Sequence, residues 1–214
     1  MTAATSPQQQ HGQSDPDISV RAGRWLFPRR VWLPLPLAVA LLVMPSGEER
    51  RLFLVLGVAI VAIGELLRLW AVRHIGVISR TRSDRLGPLV ASGPFALVRN
   101  PLYLGNIALW IGFALSTQLP WMVPVVVVLL GCEYHAIVRW EERLLDARRG
   151  HEYREYAARV PRWIPKSKRR DQLFSASAAA SAVAFSWRET FFSERGTLLA
   201  IAAGYLLLWI KLKT

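Results

Sequence analysis

Five apolar runs, Val31 to Met44, Leu52 to Val72, Leu102 to Thr117, Leu119 to Val138 and Thr197 to Ile210, constrain this 214-residue chain more than any other feature. A bilayer accommodates such runs as helices, and a perpendicular span needs about 20 predominantly apolar residues. Only the second and fourth runs reach that length. The first is short and holds Pro34 and Pro36, which predicts a kinked span or one that borrows Trp25, Leu26 and Phe27. Gln118 alone separates the third run from the fourth, and with Pro120 it predicts a tight helical hairpin. Lys211 and Lys213 close the fifth, where they can snorkel to an interface. The expected fold class is all-α: a polytopic membrane protein with four to five transmembrane helices and a cytoplasmic helical cap.

The charge supports this reading. Lys and Arg number 27 against 15 Asp and Glu, a net charge of +12, and in a soluble protein that excess would point to nucleic acid. Here the basic residues gather beside alternate runs, as the positive-inside rule describes, so no nucleic-acid partner is needed. Arg21, Arg24, Arg29 and Arg30 precede the first run, Arg73, Arg80, Arg82, Arg85 and Arg99 follow the second, and eleven Lys or Arg lie between Arg139 and Arg170. The N-terminus, the 73–101 loop and the 139–172 segment are therefore expected in the cytoplasm. The bias of 23 Arg to 4 Lys points to a GC-rich bacterial coding sequence, and so to a multi-pass protein of the cell inner membrane in contact with membrane lipids.

Met1 to Val20 are polar, with too little apolar surface to offset the entropy of ordering, and a disordered tail is expected over 1–24. A membrane core is expected over 25–170. Residues 171–214 are expected to hold an interfacial segment, with a helix over Asp171 to Arg195, and a C-terminal transmembrane helix. The single Cys132 lies inside an apolar run, excludes an intrachain disulfide, and reads as core. No zinc-ligand spacing, Gly-rich phosphate loop or nucleophile elbow is present, and no metal is expected.

Two polar segments carry the chemistry. In the first, Gly93-Pro94-Phe95 leads to Arg99-Asn100-Pro101-Leu102-Tyr103-Leu104-Gly105, where Asn100 reads as an N-cap and Pro101 as the first helical residue. Such a pair also marks an ordinary helix start. The second runs from Arg139-Trp140-Glu141-Glu142 through Gly150, Tyr153 and Tyr156 to Pro161-Arg162-Trp163-Ile164-Pro165. A helix continuing past Val138 puts Glu133, Ile137, Glu141, Leu144 and Leu145 on one face, so Glu141 points toward protein. Its plain structural alternative is an ion pair with an arginine such as Arg99. Glu142 lies about 100° round the helix and is expected to form a surface pair with Arg139. Within the spans, Glu65 and Arg68 are three apart and expected to pair, since an unpaired charge at a helix centre costs about 2.5 to 3.5 kcal/mol on insertion scales. His135 reads as a packed or interfacial residue before it reads as a base.

Together the two segments resemble the integral membrane S-adenosylmethionine-dependent methyltransferases, the group of isoprenylcysteine carboxyl methyltransferase and phospholipid N-methyltransferases. The resemblance covers roughly residues 64 to 166. It implies that Leu89, Val90, Phe95, Asn100, Pro101, Tyr103 and Glu141 line an S-adenosylmethionine site, and that Arg99, Asn100 and Glu141 are the catalytic set. It further implies methyl transfer to a lipophilic acceptor, an isoprenoid carboxylate or a lipid amine or hydroxyl, arriving from the bilayer. A helix N-terminus offers free N–H groups to the cofactor's carboxylate, Glu141 accepts hydrogen bonds from its ammonium or ribose hydroxyls, and Phe95 and Tyr103 offer rings to adenine or the sulfonium. Two departures stand out. The family's His is Asn100 here and cannot titrate near neutral pH, and Ile137 occupies the place of an acceptor-contacting Arg in the isoprenylcysteine branch. Sterol-type NADPH reductases resemble the same Pro-Tyr-Gly hairpin, and a non-catalytic scaffold binding anionic lipid is the third reading.

Overall fold

The computed structural model describes residues 17–48, 50–76, 89–165 and 186–213. Among these, all regular structure is helical: α1 (Ile18–Leu26), α2 (Leu35–Val43), α3 (Arg51–Ile75), α4 (Pro101–Ser116), α5 (Met122–Arg149), α6 (His151–Arg159) and α7 (Trp187–Lys211), with 3-10 turns at Phe27–Arg29 and Gly93–Ala96. Helices α3, α5 and α7 are long and apolar enough to cross a membrane, and α4 is a shorter apolar helix. The first apolar run yields only the nine-residue α2, preceded by the Phe27–Arg29 turn. Pro28 and Pro34 divide this region into short pieces, because proline removes a backbone donor and sets its own φ.

Helices in lipid gain little from hydrophobic attraction to one another and associate by close packing and polar contacts. The α3 and α4 interface shows both. A Cβ on Gly57 would lie 2.6 Å from the Gly112 carbonyl oxygen, and one on Gly112 would lie 2.6 Å from that of Gly57. The same reciprocity, at 2.9 Å, holds between Gly64 and Gly105. Alongside these glycines, Arg68 of α3 pairs with Glu65 at 3.4 Å and with Glu194 of α7 at 2.5 Å. It also donates to Asn106 of α4 and to Thr197 of α7. One guanidinium thus ties three helices, and the expected Glu65 and Arg68 pair is part of a larger knot.

The hairpin between α4 and α5 is present. Gln118 turns it at a φ of 61°, and its side-chain oxygen accepts from the Arg50 backbone N–H at 3.0 Å. The tail expected to be disordered overlaps α1 over residues 18–24, while residues 1–16 lie outside the described residues. Val20 and Gly23, three apart, are buried, and a Cβ on Gly23 would collide with the Ala136 backbone of α5. Asp17 accepts from Arg139 at 2.8 Å, so α1 is held to α5 by packing and by charge. At the other end of the chain α7 begins ten residues ahead of its apolar run, behind a capping box of Ser186 and Glu189. Positions 187–195 therefore belong to that helix, not to a separate interfacial one; 171–185 lie outside the described residues. Cys132 is exposed, which corrects its reading as core: the inward face of α5 carries Val126, Leu130, Tyr134 and Ile137, and Cys132 points away from it.

Candidate functional site

At the end of the bundle where α3 ends and α4 begins, the chain enters α4 through the buried 3-10 turn Gly93–Ala96. Gly93 adopts a φ of 57°, and a Cβ there would lie 2.5 Å from the His74 ring, so both backbone angle and space favour glycine. Tyr156 of α6 donates its hydroxyl to the Phe95 carbonyl at 2.8 Å. The Arg99 backbone N–H donates to Pro161 at 2.9 Å, and Asn100 Nδ2 donates to the Arg162 carbonyl at 3.2 Å. The segment after α6 thus returns across the start of α4. Asn100 occupies the expected N-cap position, but its side chain makes no capping bond; the first turn of α4 has no side-chain cap.

The paired glutamates of α5 divide in role. Glu142 accepts from Arg99 at 2.9 Å and from Arg162 at 2.9 and 2.5 Å, with its side chain only 15% exposed. This corrects the expected surface pair with Arg139, whose acidic partner is Asp17. Helical periodicity locates Glu142 on α5 but carries no information about a segment returning twenty residues later. Arg99 also donates to the Tyr153 hydroxyl at 3.2 Å. Burial, with the nearby Glu142 charge, pushes that hydroxyl up to about 12, so it stays protonated near neutral pH. Burial raises the Tyr156 hydroxyl too, while the hydrogen bond to Glu142 raises the Arg162 guanidinium.

Glu141 is not the partner of Arg99. Its carboxylate accepts from the Tyr103 hydroxyl, 3.1 Å from each oxygen. Tyr103 lies in the first turn of α4 and its ring stands 4.8 Å from that of Tyr134, which sits about one α5 turn before the buried Ile137. The structure therefore brings Tyr103 to Glu141, while Asn100 turns its side chain to the Arg162 carbonyl and Pro101 is fully buried. Arg99 belongs to the adjacent Glu142 network. Leu89 packs against Tyr153, Tyr156 and Val160, Val90 is half-buried, and Phe95 is buried beneath Tyr156. Sequence reasoning missed Tyr134, although its position seven residues before Glu141 puts it on the same helix face. His135 is exposed. Among the described residues no three or more His, Cys, Asp or Glu are grouped to hold a metal ion.

Fold and site together define an all-helical membrane protein whose ion-paired cap closes over the start of one short helix. Residues 52–150 match the phospholipid methyltransferase family, so the family resemblance carried by the motifs holds over that stretch. The chain is also similar to the cobalt-zinc-cadmium resistance protein CzcN of Cupriavidus metallidurans, 32% identical over 115 residues, covering 54% of this chain and 50% of the relative. It is 30% identical over 111 residues to the nickel-cobalt-cadmium resistance protein NccN of Alcaligenes xylosoxydans xylosoxydans, covering 52% and 47%. The chain thus spans about half the length of the curated relatives it matches. No solved structure matches it.

Proposed function

We propose that the protein is a membrane methyltransferase that takes a methyl group from S-adenosylmethionine and delivers it to a lipophilic acceptor entering from the bilayer. One observation carries the reading. Glu142 satisfies two arginines, whereas Glu141, its neighbour, has one hydrogen-bond donor among the described residues and keeps acceptor capacity beside an uncapped helix start. A carboxylate has about four lone-pair sites, so Glu141 can take a further donor without losing Tyr103.

The residues present fit the group. The first-turn N–H groups of α4 suit a carboxylate, and Glu141 suits an ammonium or ribose hydroxyl. The rings of Tyr103 and Tyr134, 4.8 Å apart, offer electron-rich faces to a cation. When bound, S-adenosylmethionine supplies an electrophilic methyl group on a positively charged sulfur. The chain's own work is then to align the acceptor and exclude water, with the Arg99, Glu142 and Arg162 network holding the 160–165 segment over the site. In this reading the site faces the cytoplasm, as the distribution of basic residues implies.

The test is transfer of tritium from methyl-labelled S-adenosylmethionine into the lipid extract of membranes containing the protein. Label in extracts with wild type and its loss with Glu141→Ala support the reading. NADPH displacing S-adenosylmethionine from the purified protein would favour a reductase instead.

A further inference from the structure

We propose that Arg30, outside the stretch that matches the methyltransferase family, recognises the acceptor's headgroup and selects an anionic one, a carboxylate or a phosphate, on a lipophilic body. The inference rests on the function proposed above. Arg30 follows the Phe27–Arg29 turn and is half-buried. Its guanidinium lies 4.0 Å from the centre of the Phe27 ring, and that ring is 4.7 Å from the ring of Trp140, the residue before Glu141. Phe27, Tyr103 and Tyr134 belong to the same apolar cluster, which brings Arg30 within electrostatic range of Tyr103 and Glu141.

Among the described residues Arg30 acts on Glu141 only at longer range and forms no direct ion pair. Arg68, Arg99, Arg139 and Arg162 each have an acidic partner within ion-pair distance, whereas Arg30 has none among the described residues. A half-buried guanidinium with no direct ion pair keeps its forked donors for a ligand that supplies an anion. Beside it lies a small cavity of about 60 Å³, lined by Phe27, Pro28, Arg30 and Val31. The next apolar side chains outward are open: Val31 is 59% and Trp32 67% exposed. An amphiphile lying along them places its headgroup at the guanidinium, and planar forked donors suit carboxylate and phosphate oxygens.

An anionic acceptor also agrees with the chemistry of the site. His135 and His151 are exposed, and His74 is packed against Gly93. An oxygen that arrives ionised needs no base: its lone pair forms the new bond to the methyl carbon as the sulfur–carbon bond breaks and returns its electrons to sulfur. Sulfonium becomes thioether, the acceptor oxyanion becomes a neutral or less charged ester, and no proton moves.

The experiment measures binding of oleate, dioleoyl phosphatidate and the uncharged oleyl alcohol to the full chain in neutral detergent, with S-adenosylmethionine affinity measured in parallel by calorimetry. Wild type is expected to bind at least one of the two anions about ten-fold tighter than the alcohol, and which one identifies the headgroup. Arg30→Met is expected to bind all three alike, and Arg30→Lys, which keeps the charge that acts on Glu141, to keep part of the preference and to bind S-adenosylmethionine as wild type does. An anion preference that survives in Arg30→Met, or is missing from wild type, overturns the proposal. Loss of S-adenosylmethionine binding in wild type itself would count against the methyltransferase reading, and the oleate arm would still report on Arg30.

Discussion

Two networks of arginine and glutamate hold this protein together, and they are built for different ends. In the bundle, Arg68 joins α3, α4 and α7 through Glu65, Asn106, Glu194 and Thr197, and its side chain is only 12% exposed. In the cap, Arg99 and Arg162 share Glu142, and the carboxylate next along the helix keeps spare capacity. Two carboxylates surround one arginine in the bundle; two arginines surround one carboxylate in the cap. The first arrangement turns inward and fastens helices. The second fastens a chain segment, while Glu141 beside it has Tyr103 as its hydrogen-bond donor and keeps further acceptor capacity.

The comparison breaks most clearly at Arg68. Arg68→Met takes the ion-pair partner from the buried Glu65 and one partner from Glu194, and thermal unfolding in detergent is expected to show a loss of about 3 kcal/mol, the low end for removing one member of a buried pair. Glu142→Gln weakens charge-assisted bonds to Arg99 and Arg162 that retain some solvent, so a smaller loss of about 1.5 to 2 kcal/mol is expected. Its signature is local: hydrogen exchange rises at Arg99, whose N–H donates to Pro161, and leaves the α3 and α4 contact unchanged. If Glu142→Gln unfolds the whole bundle as Arg68→Met does, the division between the networks is wrong. Tyr103→Phe removes one hydroxyl from Glu141, and a stability change of about 1 kcal/mol or less is expected. S-adenosylmethionine affinity should fall about three- to ten-fold in that variant.

The last effect is confined to alkaline pH. Tyr153 ionises near 10 in an unfolded chain and at about 12 in the folded one, so the folded state holds its proton longer and stability falls as pH rises through that interval. Tyr153→Phe should flatten this fall, whereas Tyr205→Phe, changed on the α7 side of the bundle, should leave the Tyr153 contribution in place.

Where residues announced their surroundings, the sequence was readable. The unbroken runs became α3 and α5, Gln118 and Pro120 made the hairpin, and Glu141 faces protein, where Tyr103 meets it. What escaped depends on contacts between distant segments. Gly57 and Gly64 are ordinary in a hydropathy pattern until Gly112 and Gly105 lie against them. Residues 18–24 look too polar to order until α5 supplies Ala136 and Arg139. Glu142 reads as a solvated charge until Arg162 returns over it, and Arg30 reads as a topology signal until Phe27 stacks beside Trp140.

Calorimetric titration of S-adenosylmethionine into the detergent-solubilised full chain, wild type beside Glu141→Ala and Glu142→Gln, tests the central claim most directly. The account predicts saturable one-site binding to wild type, loss of measurable binding in Glu141→Ala, and retained though weaker binding in Glu142→Gln. Equal binding by wild type and Glu141→Ala, or no binding by wild type, would contradict it.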